Sequence, residues 1–169
     1  VRARRYSAPE PGGPGVPVER RDDRPPASRV RVLATHPRAH SSAALDTAEV
    51  VVAVGRGLRG PEQLALIEAV AARLGGVVAG SRPVTEHLGW LPLDRKVGLS
   101  GQTVAPELYL ACGISGQVEH IVGMRESRLV VAVNTDPDAP IFDEADLGVQ
   151  ADLHALLPAL LFALDQPDD

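Results

Sequence analysis

The chain has 169 residues, a length that suits one α/β domain and leaves little beyond it. Hydrophobic residues make up 44% of it with only two Phe, two Tyr and one Trp, so the core must be built from Val, Leu, Ala and Ile. Such a core fits parallel strands buried on both faces better than a sandwich filled with aromatic rings, and a single cysteine, Cys112, excludes an internal disulfide.

The net charge of −5 conceals an asymmetry: residues 1–45 hold nine arginines against four acids, and the remainder holds eight basic groups against eighteen acids. A basic arm can touch nucleic acid. This one lacks interleaved aromatics, and the acidic remainder repels phosphate backbones, so no nucleic-acid partner is expected. "VRARRYS" has the arginine and serine content of a transit peptide, but prolines and glycines follow at once and deny it an amphipathic helix. No signal peptide is visible and no run is long enough to span a membrane, so the expectation is a soluble cytoplasmic protein without membrane insertion.

Seven of the fifteen prolines fall in residues 1–45, which read as an extended Pro/Arg-rich linker. Within it "RVRVLAT", around residues 30–35, alternates enough for one short strand. From residue 50 the pattern becomes regular. "VVAVG" predicts a buried strand ended by glycine, and "PEQLALIEAVAARLGG" a helix with Pro61 in its first turn, Leu64, Ile67, Ala71 and Leu74 on one face, and Gly75 or Gly76 at its end. "VVAGSR" predicts a second strand; residues 83–106 read as irregular. "LYLACGIS" is a third strand, "GQVEHIVGM" a short helix and "RLVVAVN" a fourth strand. The acidic stretch at 136–146 matches no calcium loop and reads as a solvated loop, with no metal expected. "LGVQAD" makes a fifth strand and "LHALLPALLFAL" a closing helix with a bend at Pro158. Alternation of strand and helix at these lengths predicts a doubly wound, mainly parallel sheet.

In such sheets ligands bind outside the carboxyl ends of the strands. The residues that follow the predicted strands are Gly55-Arg56-Gly57, Ser81-Arg82, Ser115-Gly116, Asn134 and Asp152, a polar or charged group at every strand end. A dinucleotide fits this set. Gly116 would let the backbone approach a pyrophosphate, the start of the helix after it would supply N–H donors, and Arg56 a charge-assisted fork. Asp152 would take a ribose hydroxyl and Asn134 an adenosine or ribityl group. Each residue also has a plain structural reading: Gly-Arg-Gly as a tight turn, Ser115 and Asp152 as helix caps, His120 as a surface or satisfied core histidine, Cys112 as a small buried hydrophobe. There is no GxGxxG and no Walker lysine.

The strings "VGRGL", "GSRPVTEHLGWLP", "KVGLSGQTVAPELYLACGISGQVEHIVGM" and "VAVNTDPDAPIFDEADLGVQADL" resemble, in order from about residue 48 to 164, the FAD-binding domain of the electron transfer flavoprotein alpha subunit. The resemblance implies a Rossmann-like FAD-binding domain over 46–169, with residues 1–45 as the remnant of an amino-terminal domain. It implies one FAD and a beta-subunit partner in a heterodimer. Electrons would pass from acyl-CoA or other dehydrogenases, as in fatty acid beta-oxidation, to a quinone oxidoreductase or other acceptor. The role would be that of an electron carrier with no catalytic residues, in a bacterial cytoplasm or, in a eukaryote, the mitochondrial matrix. By the same resemblance Arg82 lies over the flavin ring beside Ser81, and Ser100, next to Val97, Gly98 and Leu99, bonds flavin N5. His120 stands near the C2 carbonyl, and Ser115, Gly116, Gln117, Val118 and Glu119 surround the phosphates and ribityl chain. Arg56, Asn134, Asp152 and Leu153 make further contacts. An arginine and a histidine at the flavin edge would stabilise the negative charge of reduction. Two departures are visible: Val54 stands where the family often has glycine, and Leu99-Ser100 where many members have Gln-Thr, keeping the hydroxyl and losing an amide. The alternatives are a nicotinamide-dependent oxidoreductase module on a related fold and a non-functional remnant.

Overall fold

The computed structural model describes residues 33–34 and 45–166. The chain divides into two units, residues 1–38 and 39–169, and the fold belongs to the second. Leu33 and Ala34 belong to no strand or helix; the rest of the strand expected around 30–35, like the linker reading of the arm, lies outside the described residues.

Five strands form the sheet: β1 (Val50–Val54), β2 (Val77–Gly80), β3 (Leu108–Cys112), β4 (Leu129–Asn134) and β5 (Leu147–Gln150). All neighbours pair in parallel, in the order β2-β1-β3-β4-β5. Because side chains alternate across a strand, β1 sends Val51 and Ala53 to one face and Val52 and Val54 to the other, and all four are buried. Helices α1 (Leu64–Arg73) and α3 (Leu153–Leu164) cover the second face, where Ile67, Val70 and Leu157 pack on Val52 and Val54. The first face is covered by α2 (Val118–Ile121) and the loops, through Ile121, Met124, Val97 and Ile141. Full burial of each Val or Leu contributes roughly 1.5–3 kcal/mol, so the aliphatic sheet needs no aromatic filling. Both faces of the sheet are covered, and the sheet is wholly parallel.

Several boundaries differ from the expectation. Pro61–Gln63 is a 3-10 turn ahead of α1, and α1 stops at Arg73, with Gly75 at φ +66° turning the chain out of it. The third strand stops at Cys112. The helix expected over 116–124 is the four-residue α2, after which tighter turns lead to β4. The acidic stretch is not simply solvated: Pro140–Glu144 is a 3-10 turn that buries Ile141, with Ala139 buried just before it. Phe142 lies over Gly148 on the edge strand β5, and a Cβ there would come within 2.8 Å of its ring. Helix α3 runs unbroken through Pro158.

The chain leaves β1 toward β2 and then crosses back to β3, so β1 and β3 are neighbours whose following loops run to opposite sides. Such a reversal opens a crevice at the carboxyl edge.

Candidate functional site

A cleft of about 460 Å³ lies at this reversal. The loop after β1 gives it Gly55, Arg56 and Gly57; the loop after β2 gives Ser81, Arg82 and Pro83; the exit of β3 gives Gly113, Ile114 and Ser115; and β4 gives Asn134 with Asp136 beyond it. Val97, Gly98, Leu99 and Ser100 close one side, and Gln117, Glu119 and His120 complete the lining. Of the expected site residues, Arg56, Ser81, Arg82, Val97, Gly98, Leu99, Ser100, Ser115, Gln117, Glu119, His120 and Asn134 thus share one cavity.

The first and third strand exits interlock through their backbones. Gly55 N–H donates to the Cys112 carbonyl at 2.8 Å and Gly57 N–H to the Gly113 carbonyl at 3.1 Å. A Cβ at Gly55 would sit 2.2 Å from the Gly113 oxygen, so this approach is open to glycine only. Arg56 is thereby fixed at its base while its side chain reaches the cleft.

Past β3 the backbone is left short of acceptors. None of the N–H groups from Ser115 to Glu119 donates to another group among the described residues, whereas those of His120 and Ile121 bond the Gln117 carbonyl. With only four residues, α2 adds little macrodipole, so any attraction for an anion here comes from these local donors and not from a long helix.

Arg82 is anchored by Glu86, four residues on in the turn Pro83–His87, whose Oε2 accepts from Arg82 Nε at 2.7 Å. The other carboxylate oxygen takes the ammonium of Lys96, which is buried beside Val97. The Lys96 ammonium first, then the Arg82 guanidinium, hold the Glu86 carboxyl below its ordinary value. Bound at Nε, Arg82 keeps its two terminal nitrogens for the cleft.

His120 is buried, and Nε2 lies 2.9 Å from the hydroxyl of Tyr109, which is fully enclosed in β3. Burial lowers its pKa to about 4, the Val97 backbone opposing the shift only in part. Nδ1 has no well-formed hydrogen bond. In the ligand-free chain the ring is thus uncharged near neutrality, because the interior does not solvate an imidazolium. Burial likewise raises the Cys112 thiol to about 12, in keeping with an inert small hydrophobe.

Four expected residues lie outside the lining. Gly116, at φ +88°, is buried, and a Cβ on it would meet the Ile141 nitrogen at 2.2 Å. The space that glycine leaves at 116 is taken by the chain at 140–141. Asp152 caps α3, Oδ1 accepting from His154 N–H at 2.9 Å, while Oδ2 pairs with Arg59 at 3.0 Å. Each oxygen thus has one partner in the chain and keeps a further lone pair for a ribose hydroxyl. The side chain of Leu153 is in the core, and Val118 is exposed beyond the cavity. Asn134 lines the cleft but spends its amide on the scaffold, donating to the Ile114 carbonyl at 2.9 Å and accepting from Asp136 N–H at 3.1 Å.

A family model of the electron transfer flavoprotein FAD-binding domain matches residues 44–125. The electron transfer flavoprotein subunit alpha of Thermoanaerobacterium thermosaccharolyticum is 44% identical over 133 residues, 79% of this chain and 40% of that protein. Protein FixB of Escherichia coli is 45% identical over 139 residues, 82% of this chain and 44% of that protein, and FixB of Salmonella typhimurium matches to the same extent. This domain belongs to the electron transfer flavoprotein alpha family. The chain spans less than half the length of the curated relatives it matches.

The cofactor of this electron transfer flavoprotein domain is FAD, in preference to a nicotinamide dinucleotide. The cleft fits it: the amides of Ser115, Gln117 and Glu119, unpaired among the described residues, and the arginines 56 and 82 suit an anionic diphosphate and an electron-accepting ring. Glu86, Lys96 and Tyr109 escaped the sequence reading. Glu86 had a signal, its i,i+4 spacing from Arg82. Lys96 and Tyr109 had none, since only the folded chain brings them to their partners.

Proposed function

We propose that the cleft holds FAD and that the chain acts as the FAD-binding part of an electron transfer flavoprotein alpha subunit, paired with a beta subunit in a heterodimer. Electrons would come from acyl-CoA or other dehydrogenases and leave to a quinone oxidoreductase or another acceptor, with no substrate turned over by this chain. A bacterial cytoplasm or a mitochondrial matrix fits that role; no helix among the described residues is long and apolar enough to cross a membrane. The convergence of the two loop arginines and the unpaired amides at one sheet reversal carries the reading. FAD, when bound, supplies one- and two-electron redox chemistry. The residues' own work is to bind and to set the field. The amides of Ser115, Gln117 and Glu119 would receive the diphosphate, Arg56 would add a guanidinium to it, and Arg82, steadied by Glu86, would place positive charge where reduction places negative charge. Ser100, exposed on the turn at 98–101, offers a hydroxyl that can donate or accept as the ring's protonation changes.

The test is the visible absorption spectrum of the chain purified alone and with a co-expressed beta subunit. A flavin spectrum in the purified protein, and reduction by an acyl-CoA dehydrogenase system only when the beta subunit is present, is the expected result. A colourless chain whose melting temperature ignores added FAD overturns the proposal.

A further inference from the structure

The Tyr109–His120 contact carries more than packing. The two ring planes are tilted by 58° with centroids 6.2 Å apart, so the polar atoms meet without stacking. Tyr109 has no exposed surface, and Nε2 of His120 is the hydrogen-bond partner of its hydroxyl. A buried O–H must donate or leave a proton stranded in a medium that cannot solvate it. If Nε2 carried a proton, its N–H would face the phenol oxygen and the phenol proton would have no acceptor. If the phenol donates to a bare Nε2, the phenol proton is satisfied, and the ring's own proton sits on Nδ1. Nδ1, the other ring nitrogen, is buried and makes no well-formed hydrogen bond among the described residues, so nothing there competes with the phenol for the choice of tautomer.

We propose that Tyr109 is a positioning residue of the cleft: its hydroxyl donates to Nε2 of His120 and holds the imidazole neutral, protonated on Nδ1. The role this serves rests on the reading of the cleft as the FAD site; the hydrogen bond itself does not. A ring held in this state meets an electron-rich ligand as a fixed dipole and a polarisable surface, with no labile proton to give. Positive charge beside the cofactor is then left to Arg56 and Arg82, whose ionisation does not vary with pH in the working range. Addition of an electron at this site is thereby separated from proton transfer by His120.

The test uses the full chain labelled with ¹⁵N and free of FAD, with long-range ¹H–¹⁵N correlation spectra of the histidine rings. The His120 signals are assigned by their absence in His120→Gln. The expected result is a pyridine-type Nε2 and a pyrrole-type Nδ1 near neutral pH, with a slowly exchanging Tyr109 hydroxyl proton showing a cross-peak to the His120 ring. In Tyr109→Phe, which removes one oxygen and keeps the shape, the Nε2–H tautomer should appear. A protonated Nε2 in the unaltered chain, or an unchanged tautomer in the Phe variant, overturns the proposal. Should the Phe variant not fold, the wild-type tautomer and the hydroxyl cross-peak decide alone. Addition of FAD to the same sample is read separately by absorbance, so failure of FAD binding is told apart from failure of the tautomer assignment.

Discussion

Gly116→Ala separates two uses of one glycine. The residue holds φ +88°, and a Cβ there would lie 2.2 Å from the Ile141 nitrogen and 2.5 Å from its Cα. Placing alanine in left-handed backbone costs about 1–2 kcal/mol. Relief of the overlap adds roughly 1–3 kcal/mol, because the obstacle is main chain and cannot swing aside as a flexible side chain would. The sum, about 2–5 kcal/mol, is a large part of the 5–15 kcal/mol that holds a domain together. At about 3–5 °C per kcal/mol for a domain of this size, the ligand-free variant should melt roughly 6–25 °C below the unaltered chain. Thermal unfolding followed by circular dichroism, without FAD, makes the measurement. If the glycine existed for the approach of a cofactor, the ligand-free variant would melt like the unaltered chain and only FAD binding would suffer. That outcome would refute the assignment of Gly116 to the contact between the β3 exit and the turn at 140–144.

Arg82→Gln should weaken FAD binding by about ten- to a hundredfold, the equivalent of roughly 1.5–3 kcal/mol for a hydrogen bond from a charged donor; equal affinities by fluorescence titration would exclude Arg82 from the cofactor. For His120, the folded-state pKa of about 4 lies below the ordinary 6.5, so between these values the unfolded chain binds a proton that the folded chain refuses. Stability should rise with pH through that window by up to about 3 kcal/mol. Urea midpoints at several pH values should show a shallower slope in His120→Gln than in the unaltered chain, and parallel slopes would exclude the histidine as the cause. Cys112, with its thiol pushed up to about 12, should resist thiol reagents until denaturant is added; rapid labelling of the native chain would show it exposed.

The fold was legible because its signal is local. Aliphatic runs ended by glycine or a polar group mark β1 to β4, and the rule that ligands gather at strand carboxyl ends points to Arg56, Ser81, Arg82, Ser115 and Asn134, all of which line the cleft. Other residues keep two readings. Glycine and aspartate after a strand serve either a cofactor or the chain, and the sequence does not say what stands opposite. Ile141 stands opposite Gly116, and Arg59 with the His154 amide opposite Asp152. The short α2 was read too long because Val122 and Met124 continue an apolar pattern that the chain spends in tight turns. Residue type alone does not fix the state of His120, which depends on burial and on the Tyr109 hydroxyl, eleven residues away in sequence.

The order of the strands also sorts the charge around the cleft. Arg82 follows β2 and Arg56 follows β1, while Glu119 and Asp136 follow β3 and β4, so cations line one half of the sheet's rim and carboxylates the other. Below the rim the ionisable groups are kept uncharged: Tyr109 and Cys112 by pKa values raised through burial, His120 by one lowered through it. A field set by surface loops over a neutral floor points across the strands and is weakly opposed from beneath, since the low-dielectric core screens it less than water would. An anionic ligand spanning the rim is thus drawn toward the side of β1 and β2. There Glu86, divided between Lys96 and Arg82, leaves a net positive charge with Arg82 free to reach the cleft. The neutrality of His120 belongs to this arrangement: a cation at the centre of the floor would flatten the gradient that the strand order creates.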